Sequence, residues 1–331
     1  MIEKPTTRWQ TRLRDAIRDP NELLRLLELS AVAESESSND SNFGFPLLVT
    51  REYAQRMRKG DWNDPLFKQV WIDRQEGFSP PNFVSDPVGD LKVQRAPGLL
   101  RKYAGRVLLI TTGACAIHCR YCFRRHYPYS SAPRSLSDWQ PALQQIEQDT
   151  SIREVILSGG DPLTIVDSTL AKLVAEIESI EHIERIRLHT RLPIVLPQRV
   201  DDSLLDWLSV TKLSKWIVIH ANHAQEIDAD VAEAIASLRA TGAVLLNQAV
   251  LLRGINDTID VQEQLCKRLL ENSVIPYYLN QLDQVVGAAH FEAERSIGKT
   301  IVQELAKRLP GYGVPRFVQE IPGQPNKTRI D

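Results

Sequence analysis

RVLLITTGACAIHCRYCFRRH, residues 106–126, begins as an aliphatic, β-branched run and ends in three cysteines followed by two arginines and a histidine. RVLLIT (106–111) reads as a buried strand. The same kind of run returns at EVILS (154–158), RIRLH (185–189), WIVIH (216–220), VLLNQAVL (244–251) and VIPYYLN (274–280). Between these runs lie segments with apolar residues at three- and four-residue steps: SDWQPALQQIEQ, STLAKLVAEIES, DDSLLDWLS, ADVAEAIASLRA and DVQEQLCKRLLEN, with SIGKTIVQELAKR after the last run. Strands alternating with helices predict an α/β fold of parallel strands, either a partial barrel or an open doubly wound sheet.

In both architectures ligands gather at the carboxyl ends of the strands. The polar residues follow that rule. The cysteines come after the first strand, SGGD after the second, HTR after the third, and His220 with ANH ends the fourth. Gln248 lies near the end of the fifth and Asp283 just beyond the sixth. His189, Arg191, Asn222 and His223 share this rim without individual roles.

Outward from that series, residues 1–31 carry helical patterning, ESESSNDSN (34–42) reads as a polar linker, and VTREYAQRMRKG as a helix ending at Gly60. Residues 61–100 predict an irregular, extended connection. We divide the chain into an N-terminal helical region with its connection (1–100) and the βα series (101–331). The 331 residues are 43% hydrophobic and 25% charged with a formal net charge of −2, ordinary for a globular protein. Such a charge gives no reason to expect nucleic acid or an anionic membrane as partner. The first twenty residues lack the apolar core of a signal peptide, and no apolar run approaches a membrane span. A cytoplasmic protein is expected.

Four cysteines in such a chain are poor evidence for disulfides. Cys266, in LCKRLLENS, reads as a small buried hydrophobe. Cys115, Cys119 and Cys122 have the spacing Cys-x3-Cys-x2-Cys, and clustered thiolates suit zinc or an iron–sulfur cluster. His118 or His126 could complete a Cys3His zinc site, which leaves a zinc-stabilised binding module as an alternative of another class.

CAIHCRYC resembles the cysteine motif of the radical S-adenosylmethionine (SAM) superfamily, and SGGDP (158–162) its Gly-Gly-acidic motif. The resemblance implies a partial (β/α)6 barrel. It implies a 4Fe–4S cluster on Cys115, Cys119 and Cys122, with SAM bound at the iron that has no protein ligand and broken to a deoxyadenosyl radical by one electron from a reductant. Gly159, Gly160 and Asp161 then belong to the SAM site, as do His220 and Gln248. RRH, HTRLPIVLPQR, HANHAQEID, LLNQAVLLRGIND, PYYLNQLDQVVGAAHF and IPGQPNKT further resemble the lysine 2,3-aminomutase family, from about residue 60 onward. They are most similar to its short branch, which makes β-lysine for a ligase acting on elongation factor P.

That resemblance implies pyridoxal phosphate (PLP) as a second cofactor, held as an imine by Lys327 in GQPNKT. KYAGR (102–106) matches the phosphate segment, giving Lys102, Tyr103 and Arg106. Arg124 matches the arginine that takes the carboxylate of substrate L-lysine. Asp283 and Glu320 match the acids for its distal ammonium, Glu320 standing where the family has aspartate. The chain stops four residues after Lys327, whereas the metabolic branch continues, which favours the short branch over a metabolic lysine enzyme. The acid pair disfavours a glutamate 2,3-aminomutase.

Overall fold

The computed structural model describes residues 9–30 and 44–330. The expected linker at 34–42 lies outside them. Four short helices come first: α1 (Trp9–Arg14), α2 (Pro20–Leu26), α3 (Arg51–Ala54) and α4 (Pro65–Lys68). The helical patterning of the first segment is split in two. Ile17 forms a β-bridge with Val49, and Asp19 then caps α2, accepting from Asn21 N, with Pro20 as its first residue. The helix expected up to Gly60 stops at Ala54. Beyond it Arg56 leaves the helical path to give its guanidinium to the carbonyls of Glu226 and Ile194.

A ten-stranded sheet follows in strict sequence order. β1 (Gln94–Ala96) and β2 (Leu99–Tyr103) are antiparallel to each other, and β2 is antiparallel to β3 (Arg106–Thr112). The connection read as irregular therefore ends in two strands. KYAGR, matched to the phosphate segment, forms the hairpin between β2 and β3, with Gly105 at φ 73°. A boundary at residue 100 falls inside β2.

From β3 the strands run parallel: β4 (Glu154–Gly159), β5 (Arg185–Thr190), β6 (Ser214–Ile219), β7 (Val244–Val250), β8 (Ile275–Asn280) and β9 (Arg316–Gln319). The main crossover helices are α5 (Leu136–Gln148), α6 (Asp167–Glu178), α8 (Asp202–Val210), α9 (Ala229–Ala240), α10 (Ile259–Glu271) and α11 (Arg295–Arg308), with the single turn α7 (Leu192–Val195) between β5 and α8. The six expected strands and the helices between them stand where the periodicity put them. β9 and the antiparallel β10 (Thr328–Arg329) were not foreseen. Strand order that never reverses winds every crossover the same way, which is barrel-type and not doubly wound.

Alternation along the strands separates two environments. Val155 and Leu157 of β4 and Ile186 and Leu188 of β5 join the core against the helices. Glu154, Ile156 and Ser158, and Arg185, Arg187 and His189, face a cavity on the concave side. Parallel strands buried on both faces normally read as continuous apolar runs, so the polar residues inside EVILSG and RIRLHT mark a functional interior. The core against the helices is continuous with the N-terminal segment, through Trp9, Leu23, Tyr53 and Phe67. Cys266 lies in it, 1% exposed on α10. Among the described residues, no helix is long and apolar enough to cross a membrane.

Candidate active site

The concave face encloses a cavity of about 1100 Å³. Cys115, Cys119 and Cys122 line it at the carboxyl ends of the strands, and Lys327 lines it as well. Every site residue named from the sequence borders this space except His126, the second candidate zinc ligand, and Asn222 and His223, which had been given no role.

Ionic and hydrogen-bonded anchors hold the cysteine loop. The Cys122 amide donates to Cys119 O at 2.9 Å, and the Arg120 amide to Gln69 O at 2.9 Å. Glu76, 3% exposed, clamps two arginines of the loop: Arg120 Nη2 at 2.5 Å and Arg125 Nη2 at 2.7 Å. Burial pushes the Cys115 thiol well up, and Cys122, Asp161 and Cys119 push it further. Burial, then Cys119, raise Cys122 to about 11. Such thiols ionise on gaining a metal cation. Each candidate fourth ligand of a Cys3His zinc site spends one ring nitrogen on a backbone carbonyl. His118 Nδ1 is 2.7 Å from Pro46 O, and His126 Nε2 is 3.2 Å from Val286 O. Three soft donors on a cavity wall fit a cluster with one iron left open.

The glycine pair is needed by geometry. A Cβ on Gly160 would lie 2.2 Å from Ala114 O, and one on Gly159, at φ 126°, 2.6 Å from Thr112 O. The two loops meet there: Gly160 N donates to Thr112 O and Asp161 N to Ala114 O, each at 2.7 Å. The Asp161 carboxylate accepts from Leu163 N, Thr190 Oγ1, Arg191 N and Leu192 N. It fastens the β5–α7 turn to the glycine loop while bordering the cavity.

His220 is driven down to about 3 by burial, with Arg191 adding to the effect, so its imidazole is neutral at ordinary pH. Gln248 projects into the cavity from β7. Asn222 and His223 serve as scaffold: Asn222 Nδ2 donates to Gln69 and Tyr121, and His223 Nδ1 accepts from Gln225 N.

Arg124 is not free. Its Nε is 2.7 Å from Asp90 Oδ2 and its Nη1 3.3 Å from Ser158 Oγ. Burial works against the guanidinium charge, but Asp90 more than restores it. Asp90, 1% exposed, also binds Lys102 Nζ at 2.8 Å. The sequence offered no sign of Asp90, which lies in a stretch without periodicity.

Of the three residues of the KYAGR segment, Lys102 and Tyr103 share Glu320 as a partner and Arg106 does not. Tyr103 Oη is 2.6 Å from both Glu320 oxygens, and Lys102 sits between Asp90 and Glu320. Arg106 lies over the Tyr103 ring at 4.7 Å, with no carboxylate at ion-pair distance among the described residues. Lys327 is not on a loose tail. It directly precedes β10, which pairs with β9 through Thr328↔Gln319 and Arg329↔Val318. Its Nζ is 2.8 Å from Asn280 Oδ1, 3.8 Å from Glu320 Oε2 and 5.6 Å from the Tyr278 ring centroid.

Asp283 is pushed up to about 6 by burial; Lys327 pulls it down and Glu320 raises it. A raised carboxyl keeps its proton longer in the folded chain. It therefore contributes stability below the ordinary aspartate range that is lost as pH climbs through about 6. A bound ammonium needs the ionised form. On the expectation that Asp283 takes the distal ammonium of L-lysine, the affinity for L-lysine should fall by up to roughly tenfold per pH unit below that point. Thermal shifts with L-lysine across this range check it, and Asp283→Asn should flatten the dependence.

Residues 109–260 match the model of the radical SAM superfamily. The chain is 42% identical over 323 residues to an L-lysine 2,3-aminomutase of Escherichia coli, covering 98% of this chain and 94% of that one. It is 41% identical over 320 residues to that of Haemophilus influenzae, covering 97% and 94%. With the enzyme of Clostridium subterminale it shares 33% over 323 residues, covering 97% of this chain and 77% of that one. The crystal structure of Streptococcus suis SuiB bound to precursor peptide SuiA superposes with a TM-score of 0.50 at 14% identity, covering 67% of this chain and 50% of that one, which shows a shared fold alone. Identity at this level over nearly the whole length, on a barrel whose rim carries the three cysteines, means that the chain belongs to the lysine 2,3-aminomutase family of the radical SAM superfamily.

Proposed function

We propose that this protein is a PLP-dependent radical SAM isomerase that converts L-lysine to β-lysine for attachment to elongation factor P by a separate ligase. One observation carries the chemistry: three thiols and the Lys327 amine face the same cavity. When bound, a 4Fe–4S cluster with SAM would supply the radical chemistry at C3 of the substrate, and PLP would supply the π system for moving nitrogen from C2 to C3.

The chain's own residues bind and orient. Cys115, Cys119 and Cys122 hold the cluster. Gly159 and Gly160 keep the SAM side of the rim close-packed, with neutral His220 and Gln248 beside it. Arg106 has the charge and freedom to take the cofactor phosphate, with Lys102 and Tyr103 next to it. Arg124, kept ionised and oriented by Asp90, receives the substrate carboxylate. The Lys327 side chain lies beside Asn280 and Glu320 and acts electrostatically on Asp283, which supports reading this pocket as one for an ammonium. When the cofactor engages that nitrogen, Asp283 and Glu320 are left for the distal ammonium of lysine. The chemistry requires these walls to keep water and oxygen from the radical.

Two facts favour the short branch. Identity is higher to the Escherichia coli and Haemophilus influenzae enzymes, whose length is nearly all matched, than to the Clostridium subterminale enzyme. The reading also implies a reducing, cytoplasmic setting and a one-electron donor. The test is an anaerobic assay with reconstituted protein, L-lysine, SAM, PLP and dithionite, followed by chromatography. β-Lysine is the expected product; conversion of L-glutamate in its place, or no conversion, overturns the reading. Adding the ligase with elongation factor P should then increase the factor's mass only when this enzyme's product is present.

A further inference from the structure

We propose that Arg191 sets the reduction potential of the cluster by donating an N–H to the Cys119 thiolate. This rests on the cluster reading above.

Arg191 follows β5 directly and is 6% exposed. Its Nη1 lies 2.6 Å from Cys119 Sγ and 2.6 Å from Tyr121 Oη. Its Nη2 donates to Tyr53 Oη at 3.1 Å, Gln69 Oε1 at 2.7 Å and Glu226 Oε2 at 2.9 Å. The backbone is fixed too, with Arg191 N donating to Asp161 Oδ2 at 2.7 Å. Glu226, wholly buried, is held in turn by the amides of Asn222 at 2.8 Å and His223 at 3.0 Å. Few side chains in a protein are so over-determined. The acceptors come from α3, the turn after α4, the cysteine loop and the segment after β6, converging on one guanidinium.

A structural ion pair with Glu226 alone would need only one edge of the fork. The other edge is spent on sulfur and on a hydroxyl of the cysteine loop. One-electron reduction places an extra negative charge on the cluster and its thiolates. A buried N–H donor and a cationic charge at a thiolate stabilise that reduced form and raise the potential. The low dielectric around a buried fork strengthens the effect. The electron comes from the external reductant, and Arg191 neither gains nor loses a proton. The N-terminal segment thereby acquires a role in the chemistry: Tyr53 and Gln69 aim the guanidinium.

The test is an EPR-monitored redox titration of the anaerobically reconstituted cluster, without SAM or substrate. Two variants are compared with wild type. Arg191→Lys keeps a positive charge opposite Glu226 but loses the fork. Arg191→Met combined with Glu226→Gln removes both charges together, so that no buried carboxylate is stranded. The double variant should shift the reduction equilibrium at least tenfold toward the oxidised form, about 59 mV more negative, with Arg191→Lys in between. Because EPR reads only loaded protein, partial loading does not blur the result. An unshifted potential in the loaded variants overturns the role of Arg191. A wild-type protein that takes up no cluster overturns the functional reading instead.

Discussion

Lys327→Ala is expected to abolish amino migration and to remove the yellow absorbance of the cofactor bound to protein. The structure makes this a sharp expectation. Lys327 is 27% exposed, faces the cavity, and is fixed at the start of β10 by pairing to β9. The next lysine near the acid pocket, Lys102, is tied to Asp90 at 2.8 Å and Val88 O at 2.9 Å and points its charge at those oxygens. It cannot replace Lys327 without breaking the Asp90 pair that also orients Arg124. Lys327→Arg should restore the local positive charge beside Glu320 but not the activity, because a guanidinium does not form the imine link. Absorbance spectra and β-lysine formation measured on the same preparations decide it. Wild-type turnover by the alanine variant would remove Lys327 from the mechanism.

Cys122→Ala should lose bound iron and all turnover, and so should the equivalent changes at Cys115 and Cys119. Two thiols and one open corner do not hold a cluster whose chemistry needs a single free iron. The controls are informative. His118→Ala should retain its iron, since His118 is engaged with Pro46 O and stacks on Phe45 at 4.5 Å. Cys266→Ala, in the core of α10, should retain iron and activity with only a modest loss of stability. Iron and sulfide analysis after anaerobic reconstitution reads all of these. Retention of full iron by Cys122→Ala, or its loss in His118→Ala, would point to a different ligand set.

Much of the fold was legible because it is local. The aliphatic, β-branched runs and three-to-four-step segments from residue 106 to 308 place six strands and their helices to within a residue or two. The missing strands are short and at the edges. β9 has four residues and β10 two, and β2 carries the basic LLRKY, so none builds a detectable period. The N-terminal helices broke where Pro20 and the Ile17–Val49 bridge interrupt a continuous pattern.

The candidate site divides in the same way. Cys115, Cys119, Cys122 and the Gly159–Gly160 pair are written in contiguous motifs, because one loop must place those groups within a few residues. Partnership was decided only in three dimensions. Asp90 with Arg124, Tyr103 with Glu320 across 217 positions, Lys327 with Asn280 across 47, and Arg191 with Cys119 across 72 follow from how the strands curl round one cavity. Periodicity records which face of an element is buried. Which charges meet inside depends on long-range closure of the sheet, and no local pattern encodes that.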